Sequence, residues 1–290
     1  MKNGTGQHKA GYHKVQQCCE LASSEGLQYA WVDTCCIDKS SSAELSEAIN
    51  SMFAWYRDSA MCYVYLDIDT EANYLVAEDF KSCRWIYRGW TLQELIAPSR
   101  LQFYSWFWMF LGTRQQLAQA LHETTKINLG LLYRPNDKKL DFSTHSVAKR
   151  MSWAAERKTT RPEDVAYSMF GLFGVHLSPL YGEGSEKAFL RLQHEILKTS
   201  RDLSILAWTS EDTVGSAYDL GALAPTPRCF KGCETIVSFS SFPGDTFVMT
   251  NKGQCITVPM IKGGASWTYT ALLNCRYEHE FTKVLGIKLR

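Results

Sequence analysis

Residues Arg84 to Leu95 (Arg-Trp-Ile-Tyr-Arg-Gly-Trp-Thr-Leu-Gln-Glu-Leu) carry the densest set of groups able to do chemistry. Three large aromatics, Trp85, Tyr87 and Trp90, and two arginines, Arg84 and Arg88, precede the carboxylate of Glu94. Aromatic rings offer stacking faces, arginine takes a phosphate through paired hydrogen bonds, and glutamate accepts from sugar hydroxyls. That combination suits a nucleotide. A structural account competes with it, because Thr91-x-x-Glu94 is also a capping box and tryptophans often belong to the core. Glu44 is equally ambiguous, since Ser41-x-x-Glu44 would start a helix in the same way.

Other chemistries lack their signatures. There is no Walker A loop, Rossmann glycine fingerprint, His-Glu-x-x-His helix or Gly-x-Ser-x-Gly elbow. With 10 cysteines and 7 histidines, chance Cys/His pairings are expected, so their presence alone does not argue for a thiol hydrolase. Cys18-Cys19 and Cys35-Cys36 are adjacent pairs, and Cys229-x3-Cys233 has no second pair or histidine at zinc-site spacing. Buried free thiols are the expected state, and no metal site is expected.

The elements that must position these groups are legible in outline. Residues 11–25 read as a helix stopped by Gly26, and Leu27–Asp33 reads as a buried strand ending in a carboxylate. Leu45, Ala48, Ile49, Met52, Phe53 and Tyr56 form the apolar stripe of the next helix, and Met61–Leu66 a second strand. Strand, helix and strand at this spacing predict a βαβ unit with parallel strands, placing Asp33 and Asp67 at carboxyl ends. A helix from Thr91 and a strand over Arg100–Trp106 follow. The apolar stretch 101–111 reads as a buried strand and its flank, too short to span a bilayer.

Residues 113–200 read as largely helical, with candidates at 113–124, 146–156, 162–173 and 185–199. Beyond 201, short strand-like runs (203–208, 235–239, 246–250, 255–259, 267–273 and 284–289) alternate with turn residues. The expected organisation is therefore 1–112, 113–200 and 201–290. With 31 Lys+Arg against 30 Asp+Glu over 290 residues, neither a basic nucleic-acid face nor an acidic tail is expected. The N-terminus has no apolar run to act as a secretory signal, so a cytoplasmic location is expected.

Several long motifs resemble the fungal HET (heterokaryon incompatibility) domain. They are Tyr29-Ala-Trp-Val-Asp-Thr-Cys-Cys-Ile-Asp38, then Glu44, Ile49-Asn-Ser-Met-Phe-Ala-Trp-Tyr56 and Ala60, and Arg88-Gly-Trp-Thr-Leu-Gln-Glu94. Ser146–Ala154, Arg157–Asp164, Tyr167–Gly174 and Leu180–Gly184 resemble the helical region that follows the domain in family members. Thr250–Gly253 and Leu272–Cys275 resemble their β-rich tails. Family members usually open with a strand carrying a Tyr-Ala-Ile-Leu-Ser-His-Thr-Trp-like motif, which has no counterpart here, so a first central strand is expected to be absent.

HET domains are similar in turn to TIR domains, which implies a flavodoxin-like parallel sheet. Some TIR domains hydrolyse NAD through the glutamate of a Trp-Cys-x-x-Glu-Leu motif, and Trp90-Thr-Leu-Gln-Glu94-Leu95 shares that spacing. The resemblance implies Glu94 as catalytic carboxylate, with Asp33 and Glu44 flanking the pocket, Trp31 and Trp90 stacking on NAD, and Arg88 meeting its pyrophosphate. NAD would be substrate rather than cofactor. The implied role is allorecognition and cell death. Two further roles stay open: a non-enzymatic module that self-associates or recruits partners, and an inactive fragment.

Overall fold

The computed structural model describes residues 8–9, 11–69, 75–209, 221–239, 247–250, 253–264 and 268–289. The Asn251-Lys252 turn and the strand ends expected at Thr246 and Trp267 lie outside them.

Helix α1 (Tyr12–Ser24) matches the expected first helix. Helix α3 (Ser42–Asp58) starts where Ser41 Oγ accepts from the Glu44 N–H at 3.3 Å. Only that half of the capping box forms, because the Glu44 carboxylate accepts from the Asp38 N–H at 2.7 Å. The inner face of α3 buries Ala48, Ile49, Met52 and Phe53. Phe53 lies so close to Gly171 that a Cβ there would fall 2.1 Å from Phe53 Cβ.

Strand β1 (Cys62–Tyr65) runs parallel to β2 (Leu101–Tyr104), and β3 (Phe110–Thr113) closes the sheet antiparallel to β2. Between β1 and β2 the chain crosses over through three short helices, α4 (Ala77–Ser82), α5 (Arg84–Tyr87) and α6 (Thr91–Ile96). The chain is thus mixed α/β with small sheets, and β1–β2 supplies the parallel pairing among the described strands.

Residues 27–33 do not form the expected strand: 27–32 are irregular, and Asp33 opens the one-turn helix α2 (Asp33–Cys36). A strand persists only with ladder partners for its backbone. Among the described strands β1 pairs only with β2, and none lies beside this segment, whose Tyr29 is 90% exposed. The stretch 101–111 is likewise not wholly buried. Leu101, Phe103, Tyr104 and Leu111 are core, but Trp106, Phe107, Met109 and Phe110 stand exposed on the β2–β3 hairpin.

The helical region contributes α7 (Ala118–Thr125), α8 (Leu129–Leu132), α9 (Val147–Ser152), α10 (Asp164–Tyr167), α11 (Phe170–Phe173) and α12 (Ser185–Thr199). The strand expected over 203–208 is instead a 3-10 turn, Leu203–Leu206, because the Asp202 carboxylate accepts from the Ser204 N–H at 2.9 Å. The tail then forms small antiparallel sheets. β4 (Ile236–Ser238) pairs with β9 (Cys275–Tyr277), β5 (Phe247–Thr250) with β6 (Gly253–Ile256), and β8 (Tyr269–Leu272) with both β7 (Met260–Lys262) and β10 (Gly286–Leu289). One continuous buried cluster takes in Ile49, Leu66 and Phe103, then Phe170, Phe230 and Cys275. No described helix is long and apolar enough to cross a membrane.

Candidate active site

Helix α6 has six residues, and Glu94 is its single charged one. A helix that short does not persist alone. Three buried arginines hold it. At its start, Arg157 Nη1 donates to the Arg88 carbonyl and to Thr91 Oγ1, both at 2.9 Å, while Nε donates to the Trp153 carbonyl at 3.1 Å. At its end, Arg114 donates to the carbonyls of Leu95 (3.2 Å), Pro98 (2.7 Å) and Ser99 (3.2 Å). Arg134 donates to those of Ile96 (3.2 Å), Ala97 (3.2 Å) and Pro98 (2.6 Å). These bonds satisfy carbonyls that a helix end leaves orphaned and place positive charge at its negative end. Burial lowers all three guanidinium pKa values, Arg157 to about 9 and Arg114 to about 10.

The expected Thr91–Glu94 capping box is not made. The Thr91 hydroxyl lies 2.5 Å from the Trp85 carbonyl and 2.8 Å from that of Arg88. This leaves Glu94 free for the site, where its Oε2 accepts from Trp85 Nε1 at 3.1 Å. Burial raises the Glu94 pKa. The Trp85 indole opposes that shift, the Asp33 carboxylate adds to it, and Arg88 and Lys14 oppose it.

Asp33 and Arg88 are therefore brought within electrostatic reach of Glu94. The Arg88 side chain is exposed while its backbone carries the turn. Trp31 and Trp90 pack with Tyr56 against Ile37, Ala48 and Met52, and the Trp31 ring meets that of Tyr56 edge-on at 5.7 Å. Trp90 Nε1 donates to Asp164 at 3.0 Å, and the Tyr181 hydroxyl donates to the other Asp164 oxygen at 2.9 Å. Glu44 is exposed and anchors the Asp38 loop. Asp67, at the end of β1, accepts from Arg84 Nε at 2.6 Å and Cys83 Sγ at 3.0 Å, holding the start of α5.

Two neighbours of Glu94 escaped the sequence. Lys14 on α1 lies over the Tyr65 ring at 4.6 Å; burial lowers its pKa, and Glu94 pulls it back up. Tyr56 is raised well above the ordinary tyrosine range by burial first and the Glu94 carboxylate second. Its position on the apolar stripe of α3 made it look like core. Among the described residues no three His, Cys, Asp or Glu side chains converge as a metal site. The ten cysteines are free thiols. Cys62, Cys83, Cys233 and Cys275 are buried as expected, whereas Cys19, Cys35, Cys36 and Cys255 are exposed.

The arrangement gives an ionisable carboxylate on a braced helix, with indole, phenol and two cations around it. Such a group can orient hydroxyls or stabilise a developing positive charge. No solved structure matches the chain significantly. Residues 7–79 match the family described as heterokaryon incompatibility protein (HET). Over 215 residues the chain is 47% identical to the vegetative incompatibility protein HET-E-1 of Podospora anserina, covering 72% of this chain and 16% of that protein. The chain thus spans less than a fifth of its relative's length. Motifs, family match and shared identity together place the chain in the heterokaryon incompatibility (HET) domain family.

Proposed function

We propose that the chain is the effector module of a cytoplasmic fungal incompatibility protein, and that it acts by cleaving NAD between nicotinamide and ribose. The observation that carries this reading is the setting of Glu94. Its carboxylate is hydrogen-bonded by the Trp85 indole and sits within reach of Asp33, Arg88 and Lys14, on a TIR-like Trp90-x-x-x-Glu94-Leu95 helix. Nicotinamide leaves from a cationic pyridinium ring, so the departing group needs no proton. Glu94 would hold the ribose hydroxyls and stabilise the oxocarbenium-like transition state. Trp31 and Trp90 would offer stacking faces, and the exposed Arg88 would meet the pyrophosphate.

The test is NAD loss and nicotinamide release by the purified chain and by Glu94→Ala, with and without artificial clustering. Wild type is expected to consume NAD and the variant to lose that activity. Activity that survives Glu94→Ala would overturn the residue assignment, and no NAD loss by clustered wild type would overturn the reaction.

A non-enzymatic, self-associating module is the second reading, favoured by the exposed Trp106, Phe107, Met109 and Phe110 on one hairpin. Light scattering on the chain and on a Trp106→Ser/Phe107→Ser variant separates the two. Association that needs these residues, in a chain inert toward NAD, would favour the adaptor.

A further inference from the structure

Behind the Arg88–Thr91 turn lies a cleft of about 450 Å³ whose wall includes Arg157. Lys126, Trp153, Glu156, Lys231 and Glu234 also line it. The size is within the range of small-molecule sites. Arg157 is 9% exposed and meets no carboxylate among the described residues: its Nε and Nη1 are spent on backbone and hydroxyl oxygens. Nη2 has no hydrogen-bond partner there. Trp153 is 3% exposed, and its buried Nε1 also lacks an acceptor. The Trp153 N–H is sealed from the cleft, whereas Arg157 Nη2 is not among the fully buried donors and stays open to an acceptor.

The charges around the cleft point to the kind of acceptor. Glu156 is neutralised by Lys231 at 2.9 Å, which leaves Arg157 and Lys126 against Glu234. Lys126 is exposed and ends α7 with a left-handed backbone, φ +59°. Unused donors on Arg157 and Lys126 suit an anion with several acceptor oxygens, and a phosphate has three where a carboxylate has two.

We infer that this cleft binds a small phosphate-bearing molecule, gripped by Arg157 and Lys126. Because the same guanidinium braces the Arg88 carbonyl and Thr91 hydroxyl, occupancy of the cleft would stiffen the start of the Glu94 helix. The regulatory half of this inference rests on the NAD-cleaving reading; the binding half does not.

The experiment is calorimetric titration of the full chain at low ionic strength with inorganic phosphate and with AMP, using acetate as the carboxylate control. Glu94→Gln is titrated in parallel, so binding is read without catalysis. Phosphate and AMP are expected to bind saturably in both proteins and acetate to bind more weakly. Lys126→Glu, with folding checked by circular dichroism, is expected to weaken binding about tenfold, the loss of one charged contact. Absence of saturable phosphate or AMP binding would overturn the inference. So would AMP binding that is lost in Arg88→Ala and kept in Lys126→Glu, which would belong to the Glu94 site. If binding is confirmed and NAD turnover does not respond to phosphate, the regulatory half fails alone.

Discussion

Arg157 reaches across 69 positions of sequence to place its Nη1 2.9 Å from the Arg88 carbonyl, at the turn that launches the Glu94 helix. The HET family match ends at residue 79, so both the carboxylate and its brace lie beyond it. Arg157→Met would leave the Arg88 carbonyl and Thr91 hydroxyl without their buried donor, at about 1–3 kcal/mol. Chemical denaturation is expected to show that loss. Arg157→Lys should recover part of it, because one ammonium can serve only part of the fork.

Removing the charge of Glu94 should raise stability at neutral pH. Burial raises this carboxyl above its unfolded value of 4.5, so the folded chain holds the proton more tightly than the unfolded chain. Stability therefore falls as pH rises through the folded pKa. Glu94→Gln escapes that penalty. Its melting temperature is expected above wild type at pH 7, and the difference should vanish below pH 4.5. A variant less stable than wild type at neutral pH would show that the bond to Trp85 outweighs burial.

If Glu94 works as an anion, NAD cleavage should show an acid limb above the ordinary carboxylate range. Glu94→Gln is expected to lower the rate by a factor on the order of 10² to 10³, as for loss of an electrostatic stabiliser. Tyr56→Phe keeps the ring against Trp31 and removes the hydroxyl facing Glu94. It should lower the rate several-fold and shift the acid limb, because the hydroxyl lies within electrostatic reach of the carboxylate.

Gly89 is where the turn passes closest to the helical region. A Cβ there would stand 2.5 Å from Thr159 Cγ2, while the Gly89 N–H donates to the Lys158 carbonyl at 2.8 Å. Gly89→Ala is expected to cost about 1–3 kcal/mol through overpacking. Thr159→Ser removes the clashing methyl and keeps the hydroxyl that donates to the Arg161 carbonyl. The double variant should regain most of the loss; additive costs would rule out this contact as the cause.

Helices α1 and α3 and strands β1 and β2 could be read from the sequence because their signals are local. The stripe from Leu45 to Tyr56 and the Ser41 cap needed no distant partner. Residues 27–33 have strand composition, but a strand also needs a neighbour, and composition cannot supply one. The 203–208 run was diverted by a single carboxylate, Asp202, whose capping bond to Ser204 is not visible in hydropathy. At the site, the Arg84–Glu94 segment stood out because its groups are contiguous. Lys14 comes to the carboxylate from 80 residues before it and Arg157 to the start of its helix from 63 after, so only the folded chain brings them there.

The three-arginine clamp also sets the order in which the site can form. Six residues cannot nucleate a helix by themselves, and each arginine that braces α6 leaves the ribosome later: Arg114, Arg134, then Arg157. The carboxylate would therefore not be fully organised until residue 157 has been synthesised. In the finished protein, the amides of α6 should exchange with solvent only when the whole core opens.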